Sequence, residues 1–376
     1  MIVGIDARPA LFGHTGFGRV VRESLRALGG RTDLELRCYG ASWRRTTPGL
    51  ELPANVAQSL RAPRLPARLQ HALAPLGFDV ESVLGKVDLF HHTDLVFAPV
   101  RRAPEVLTIY DLVYLESREW HDPGFAARVE PRVRARAAAA HTVIVPCERV
   151  ADAVLRFDVA PADRVHVLPL GCDHLSLDTL PDEDQRVAQL VAQAGLELSH
   201  DQALVLVPGT REPRKNQLAL LSAFERLPAA LHARLLLVGG VGWGCRELER
   251  RLARRDGRVA SVGAVSDADW GALLRRAQVV AYPSFAEGFG LPVFEALAQA
   301  CVVLSSHDTP MADLAGEALQ LVDPRDPDAL ARELQRALCD DERRAELAAA
   351  GPRVSAAFTW AAHADGLQRV YAATLS

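Results

Sequence analysis

Residues 205–224 read "VLVPGTREPRKNQLALLSAF" and contain three elements in succession. An apolar run through Val207 predicts a buried strand, the residues from Pro208 to Arg214 predict a loop, and a helical pattern begins near Asn216. This order is typical of α/β proteins, in which parallel strands are joined by crossover helices. The stretch therefore predicts a loop at the carboxyl end of a strand, where open α/β sheets bind their ligands.

The same alternation of short apolar runs and helical patterns occurs in both halves of the 376-residue chain. A chain of this length exceeds the usual size of one hydrophobic core, so we predict two doubly wound α/β domains. The predicted domains cover 1–170 and 201–355, and the acidic residues 171–200 between them are predicted to be a linker followed by a helix. A last helix within 356–376 is predicted to pack across the domains or to close the second one.

Composition and charge exclude several classes of protein. The content of 49% hydrophobic and 24% charged residues is that of a globular protein, and a net charge of −4 argues against nucleic-acid binding. The first residues lack the pattern of a secretory signal, so we expect a cytoplasmic location. The six cysteines form no CxxC pair, which predicts free thiols and no structural zinc site.

Lysine is rare in this chain. Of the 43 basic residues only Lys86 and Lys215 are lysines. Lys215 stands at the mouth of the predicted helix, whose first N–H groups are open to an anion. A compact ammonium acts as a point charge towards a diphosphate, so Lys215 is predicted to bind one. Arg211 and Arg214 are both candidates for a second phosphate contact.

A second predicted strand, loop and helix occurs at residues 284–297, "SFAEGFGLPVFEAL", with Pro292 in the first turn of the helix. Glycine allows the backbone to approach a ligand closely, so a ligand is predicted beside the loop. The loop residues concerned are Gly288, Phe289, Gly290 and Leu291. Carboxylates accept hydrogen bonds from vicinal hydroxyls, so Glu287 and Glu295 are predicted to bind a transferred hexose and a ribose. Alternatively, Glu295 complements the helix dipole from the first turn and Glu287 is solvated.

Two further patterns concern metal and membrane binding. The adjacent histidines His91 and His92 of "FHHTDL" point to opposite faces of a strand, so we predict no metal site and assign the loop with Asp94 to the acceptor side. Leucines at helical spacing with arginines close by, within residues 61–76, predict an amphipathic helix. It packs on its own domain or contacts a membrane or the acceptor.

Four stretches together resemble the retaining glycosyltransferases of family 4, over essentially the whole chain and in the right order. They are "DARPALFGHTGFGR", "IYDLVYLESREW", "GTREPRKN" and "EGFGLPVFEA". The resemblance implies a GT-B fold, with two Rossmann-like domains facing across a cleft. The most similar subgroup contains sugar-nucleotide-dependent mannosyltransferases and rhamnosyltransferases of bacterial polysaccharide assembly.

The resemblance also implies the reaction. A hexose, mannose by preference, would pass from a nucleotide diphosphate sugar to a lipid-linked or oligosaccharide acceptor, with no metal or other cofactor. A GDP-linked donor is expected first, with UDP or dTDP as alternatives. The protein would act in the cytoplasm or at the inner face of the cytoplasmic membrane. A sugar-nucleotide epimerase of the same fold and a non-catalytic two-lobed sugar-binding protein remain alternatives.

Residue by residue, the resemblance implies roles for the motif positions. Lys215, with Arg211 or Arg214, would hold the donor diphosphate, Glu287 the transferred sugar and Glu295 the ribose. The backbone of Val265 would contact the base, and Gly16 and Gly18 would form a loop that closes over the donor.

One position departs from the family pattern, which often has His-Asp-Leu where this chain has Tyr110, Asp111 and Leu112. Tyr110 offers a hydroxyl to the sugar or the acceptor but has no imidazole to exchange protons near neutral pH. Asp111 contacts the sugar or the acceptor, or it caps the loop. The predicted catalytic residues are Lys215, Glu287 and Asp111.

Overall fold

The computed structural model describes residues 1–12, 15–43, 52–121, 124–179, 182–254 and 257–376. The chain divides into two compact units. The first unit comprises Met1–Glu116, Gly124–Gly171 and Trp360–Ser376, and the second comprises Ser117–Pro123 and Cys172–Thr359. The division at residue 171 lies where the predicted linker begins.

The first unit is built on a parallel sheet, in which the strand order within the described residues is β2-β1-β3-β4-β5-β6. Its strands are β1 (Ile2–Asp6), β2 (Glu35–Tyr39), β3 (Leu89–His92), β4 (Glu105–Thr108), β5 (Thr142–Val145) and β6 (Val165–Val167). Its helices, apart from the last helix of the chain, are α1 (Arg8–Leu11), α2 (Gly16–Gly29), α3 (Ala54–Ala57), α4 (Ala67–Leu73), α5 (Val80–Leu84), α6 (Val113–Glu116), α7 (Phe125–Ala139) and α8 (Glu148–Arg156).

The second unit contains another parallel sheet, with the order β12-β11-β10-β7-β8-β9 in the described part of the chain. Its strands are β7 (Leu204–Pro208), β8 (Arg234–Val238), β9 (Val259–Val262), β10 (Val279–Tyr282), β11 (Val302–Ser306) and β12 (Leu319–Val322). Its helices are α9 (Glu183–Gln193), α10 (Gln217–Glu225), α11 (Arg246–Leu252), α12 (Asp267–Arg276), α13 (Leu291–Ala298), α14 (Pro310–Ala315), α15 (Pro327–Cys339) and α16 (Asp341–Ser355).

The strands at the centre of the second sheet are buried because helices cover both faces. Every residue of β7, β10 and β11 is buried, as expected for parallel strands in a doubly wound sheet. The core of the second unit joins Val205 and Val207 of β7 to Leu220 and Phe224 of α10. The predicted pair of Rossmann-like α/β domains is confirmed.

The last helix, α17 (Trp360–Leu375), belongs to the first unit. It packs against α2, and its residues Leu367 and Tyr371 join the core that contains Ile5 and Leu25. The final segment of the chain therefore completes the first hydrophobic core.

The structure shows the partners of two predicted segments. The predicted linker contains α9, which packs against α12 and holds the guanidinium of Arg275 through Glu183, with a distance of 2.9 Å from Nε to Oε1. It is an integral part of the second unit. The predicted amphipathic helix corresponds to α4, where the Tyr39 hydroxyl donates to Gln70 Oε1 at 2.9 Å. No helix in the described part of the chain is both long and apolar enough to cross a bilayer.

Each sheet has one point at which the strand order reverses direction. This point lies between β1 and β3 in the first unit and between β7 and β10 in the second. The loops that leave two such strands go to opposite sides of the sheet and open a crevice at the carboxyl ends, where α/β proteins bind ligands. We call these the first crevice and the second crevice.

Candidate active site

Lys215 lies at the centre of the second crevice. It ends a 3-10 turn, Pro213–Lys215, in the loop after β7, and only 8% of it is exposed. Its ammonium donates to the hydroxyl of Tyr282 and to Oε1 of Glu287, each at 2.6 Å. The loops that follow β7 and β10 therefore meet through a buried ion pair.

Arg214 holds the other oxygen of the same carboxylate. Its Nη1 atom lies 3.0 Å from Glu287 Oε2 and 3.0 Å from the carbonyl oxygen of Ala286. Its Nη2 atom donates to Glu212 Oε1 at 2.9 Å. Glu287 thus accepts from two cations, one at each oxygen, and the three charges form one cluster.

The electrostatics of the cluster keep Glu287 ionised. Burial alone would raise its pKa, but the charges of Arg214 and Lys215 and the hydrogen bond from Lys215 lower the pKa to about 2. Burial and the Arg214 charge lower the pKa of Lys215, and Glu287 opposes that shift. A dianionic ligand that displaced Glu287 from Lys215 or Arg214 would therefore meet two cations that are already in position.

The two loops are also joined by their backbone and by an aromatic stack. The N–H of Phe285 donates to the carbonyl of Arg214 at 2.9 Å. The ring of Trp120 lies parallel to that of Phe285, with centroids 5.3 Å apart and 7° between the planes. The guanidinium carbon of Arg325 lies 5.7 Å from the centroid of Phe285. Phe285, which directly precedes Ala286 and Glu287, is thus held by contacts with Arg214, Trp120 and Arg325.

The glycine segment "GFGL" turns sharply into α13. Gly290 caps the helix with φ +88°, and a Cβ atom there would lie 2.4 Å from Met311 Sδ, so only glycine fits. The Phe289 ring stacks on Phe294 at 4.6 Å and is buried, which leaves only its backbone for ligand contact. Gly288 and Leu291 are buried beside it.

Glu295 lies deeper than predicted. It is the fifth residue of α13, beyond the first turn, and its exposed fraction is 0%. The indole N–H of Trp270 donates to Oε2 at 2.7 Å, and His174 Nε2 lies 3.1 Å from Oε1. A ribose would reach this carboxylate only after one of those side chains moved, so the ribose contact stays a prediction.

The structure distinguishes the two candidate arginines. Arg211 donates from Nε to Glu249 Oε1 at 2.6 Å and from Nη1 to the carbonyl of Gly239 at 2.8 Å. It anchors the neighbouring loop, whereas Arg214 contacts Glu287. Val265 lies in the loop after β9, directly before Ser266, whose hydroxyl caps α12 by accepting from the Asp269 N–H at 3.1 Å.

The N-terminal glycines and Tyr110 meet at the first crevice. α2 begins at Gly16, and the hydroxyl of Thr15 caps it by accepting from the N–H of Gly18 at 3.1 Å. Between the glycines, Phe17 stacks on Tyr110, with centroids 4.9 Å apart and 23° between the rings. Asp111 Oδ1 accepts from the N–H of Val113 at 3.3 Å, which is the loop-capping contact that the sequence left as one alternative.

The first crevice also contains a buried ion pair between Arg8 and Asp6. Arg8 Nε donates to Asp6 Oδ1 at 2.8 Å, and its Nη2 atom donates to Asp6 Oδ2 and to the carbonyl of Val96. Asp94 follows β3 in the adjacent loop, where burial and the Asp6 charge raise its pKa.

His91 and His92 both serve the fold. His91 lies 2.8 Å from the hydroxyl of Tyr371 through Nδ1 and 2.7 Å from that of Thr108 through Nε2. His92 Nε2 lies 2.6 Å from Glu105 Oε2. Burial lowers the pKa of both histidines. Among the described residues, no group of three or more His, Cys, Asp or Glu side chains is placed to hold a metal ion.

Sequence reasoning missed several residues of the two crevices. They are Tyr282, Glu212, Trp120, Phe285, Trp270, His174, Asp6, Arg8 and Phe17. The signal that was available is position: Tyr282 and Asp6 end strands β10 and β1, Glu212 stands in the loop after β7, and Arg8 begins the helix after β1.

Comparison with known proteins identifies the chain. Residues 191–354 match the family model described as glycosyl transferases group 1. The O-antigen chain mannosyltransferase B of Escherichia coli is 30% identical over 277 residues, which are 73% of this chain and 71% of the relative.

Solved structures share the fold. Sucrose-phosphate synthase of Thermosynechococcus elongatus matches with a TM-score of 0.77 at 23% identity, covering 99% of this chain and 98% of that one. Anabaena HepE in complex with UDP-glucose matches with a TM-score of 0.74 at 16% identity, covering 99% and 100%. The two parallel sheets of the chain and the solved structures show two Rossmann-like lobes of the GT-B type. The family match and the relative show that the chain belongs to the glycosyl transferases group 1 family and is a glycosyltransferase.

Proposed function

We propose that this protein transfers a hexose, mannose in the first place, from a nucleotide diphosphate sugar to a lipid-linked or oligosaccharide acceptor in bacterial surface polysaccharide synthesis. The observation that carries the proposal is the cluster of Lys215, Arg214 and Glu287 in the second crevice. The choice of mannose and of a polysaccharide rests on the similarity to the O-antigen chain mannosyltransferase B. A GDP-linked donor is proposed first, with UDP and dTDP donors as alternatives.

Donor binding would change the partners within the cluster. Lys215 and Arg214 both donate to the carboxylate of Glu287. The diphosphate oxygens of the donor therefore compete with that carboxylate for the two cations. As the cations turn towards phosphate, the lone pairs of Glu287 become available to the hydroxyls of the transferred sugar. The N-terminus of α13, which begins at Leu291 next to this loop, adds a favourable dipole for the anion.

The reaction is proposed to retain the anomeric configuration and to need no metal. The bond from the anomeric carbon to the diphosphate oxygen breaks, and the acceptor oxygen bonds to the same face of that carbon. The acceptor proton passes to the departing phosphate oxygen. Lys215 and Arg214 stabilise the charge that develops on the diphosphate, which is the largest contribution a preorganised site makes to such a step.

The remaining predicted residues complete the proposal. Val265 contacts the base through its backbone, Glu295 the ribose after Trp270 or His174 has moved, and Gly16 and Gly18 the donor. Tyr110 and Asp111 face the transferred sugar or the acceptor. The protein acts in the cytoplasm, at the inner membrane face when the acceptor is lipid-linked.

A direct assay tests the proposal. The purified chain is incubated with GDP-mannose, UDP-glucose or dTDP-rhamnose and a lipid-diphosphate glycan, with and without EDTA. Release of nucleoside diphosphate and the anomeric configuration of the product, read by NMR, are measured. We expect EDTA-insensitive release with one donor and a retained anomeric centre. Donor isomerisation without acceptor would favour an epimerase, and ligand binding without turnover would favour a sugar-binding protein.

A further inference from the structure

The first crevice contains an aromatic side chain that the hydrophobic core does not use. Phe17 is the second residue of α2, and 45% of it is exposed although its ring stacks on Tyr110. Farther along the same helix, Val21 and Leu25 are buried in the core. The stack holds the Phe17 ring in one orientation while nearly half of the side chain stays open to solvent.

The position of this ring distinguishes it from an isolated surface phenylalanine. Single exposed apolar side chains are common and need no explanation. Phe17, however, follows the loop after β1, and its partner Tyr110 follows β4, so the pair lies at the carboxyl edge of the sheet beside the β1/β3 reversal. Tyr110 also lines a small cavity, together with Thr93 and Ser24 among others. Ligands of open α/β sheets bind at this edge.

The charges that act on Tyr110, the stacking partner of the ring, are those of carboxylates. The guanidinium of Arg8 is engaged by Asp6 and by the carbonyl of Val96. Asp94 stands in the loop after β3, and its charge, like that of Asp6, acts on Tyr110, whose pKa burial already raises. The Tyr110 hydroxyl therefore stays protonated and able to donate, while the nearby carboxylates accept.

These features select a ligand class. The two carboxylates whose charges act on Tyr110 disfavour a phosphate at this pair, because like charges repel at short range. A neutral pyranose has an apolar C–H face that fits a flat aromatic ring and a rim of hydroxyls that donate to carboxylates. We propose that Phe17, with Tyr110 and Asp94 at its edge, binds the terminal pyranose ring of the acceptor. This inference rests on the proposed transfer of a sugar to a glycan.

A binding measurement tests the site without any donor. Saturation-transfer NMR is recorded on the full chain with an α-linked mannose disaccharide that carries an alkyl aglycone. We expect transfer to the C–H protons of the terminal ring, affinity about tenfold weaker in Phe17→Ala, and affinity retained in Phe17→Trp. Leu155→Ala, which removes an equally exposed side chain (44%) from α8 of the same unit, serves as the control with unchanged binding. Absence of transfer in the wild type, or equal binding in Phe17→Ala, overturns the proposal.

A kinetic measurement separates this proposal from the proposed function. With an active donor, Phe17→Ala should raise the acceptor KM about tenfold and change kcat at saturating acceptor less than about threefold. If the acceptor KM is unchanged while transfer proceeds, the pyranose site is wrong and the transferase function stands. If no donor supports transfer but the disaccharide still binds through Phe17, the proposed function fails and the site stands.

Discussion

The crevice between β7 and β10 and the crevice between β1 and β3 occupy the same topological position in two parallel sheets. Their chemistry differs. The second crevice places two largely buried cations, Arg214 and Lys215, around Glu287. The first places acids around one buried cation, Arg8, and adds an open aromatic ring. Under the two proposals above, topology sets the place of binding in each sheet, and the loops favour an anion in the second crevice and a neutral polyol in the first.

The cations of the two crevices also differ in how they are paired. Arg8 forms its ion pair with Asp6, two residues earlier at the end of β1, and it also donates to the carbonyl of Val96 in the loop after β3. Lys215 forms its ion pair with a carboxylate 72 residues away, in a different loop. An arginine whose charge is paired within its own strand-to-helix connection stabilises that connection. A lysine paired across the crevice lies where an incoming ligand meets both loops, which is the arrangement expected of a binding group.

The largest expected effect comes from removing the ammonium in the second crevice. Lys215→Ala should lower kcat/KM for sugar transfer about a thousandfold, because the departing diphosphate loses a preorganised charge. Turnover is measured as nucleoside diphosphate release, and a thermal melt checks folding. Lys86→Ala, which removes the other lysine of the chain at an exposed position, is the matched control. If Lys215→Ala kept more than a tenth of the activity while Asp94→Ala abolished it, the roles of the two crevices would be reversed.

A smaller effect distinguishes two arginines in one loop. Arg214→Ala should weaken donor binding about 10- to 100-fold, because this guanidinium shares Glu287 with Lys215. Arg211→Ala should leave the donor Kd within about threefold and lower the melting temperature, because its partners are Glu249 and the Gly239 carbonyl. Calorimetric titration of the donor and thermal melts measure both. Equal losses of donor affinity in the two variants would contradict the assignment of phosphate contact to Arg214.

The two crevices should also differ in the pH dependence of stability. The folded-state pKa of Glu287 is about 2 against an ordinary value of 4.5, so its ionisation contributes stability that is present above pH 4.5 and lost as the pH falls towards 2. The shift corresponds to about 3 kcal/mol at most. Glu287→Gln should therefore lower the free energy of unfolding at pH 7 and flatten its decline in acid.

Ionisation of Asp94 in the first crevice has the opposite effect on stability. Its folded-state pKa is raised, first by burial and then by the Asp6 charge. Its ionisation therefore costs stability, beginning as the pH rises through the ordinary value of 3.8 and complete once the pH exceeds the folded-state pKa. Asp94→Asn should raise the free energy of unfolding at pH 7 relative to the wild type. Denaturant titrations between pH 3 and pH 7 compare both variants. A loss of stability at pH 7 in Asp94→Asn would show that the ionised carboxylate of Asp94 does not destabilise the folded state.

Much of the fold was predictable from the sequence, because strands buried on both faces are uninterrupted apolar runs. Position also indicated Lys215 and Glu287, since both follow such runs. Their direct pairing was not predictable, because it depends on β7 and β10 being neighbours in the sheet. Side-chain direction was equally hidden. Arg211 and Arg214 stand three residues apart and face different partners, and Glu295 is buried by Trp270 and His174, which are distant in sequence.

Trp120 is the clearest case of a contact that only the structure reveals, and it gives the smallest predicted effect. Its stack fixes Phe285, whose N–H bonds the Arg214 carbonyl, so Trp120 positions the loop that carries Glu287. An aromatic pair is worth about 1 kcal/mol, and Trp120→Ala should lower kcat about fivefold with a smaller change in donor KM. Trp120→Phe should restore most of the activity.

Trp43→Ala, at a position 71% exposed in the first unit, is the matched control. Donor-induced quenching of tryptophan fluorescence should weaken in Trp120→Phe and persist in Trp43→Ala. An unchanged kcat in Trp120→Ala would mean that the second crevice is ordered by its ion pairs and backbone bonds alone.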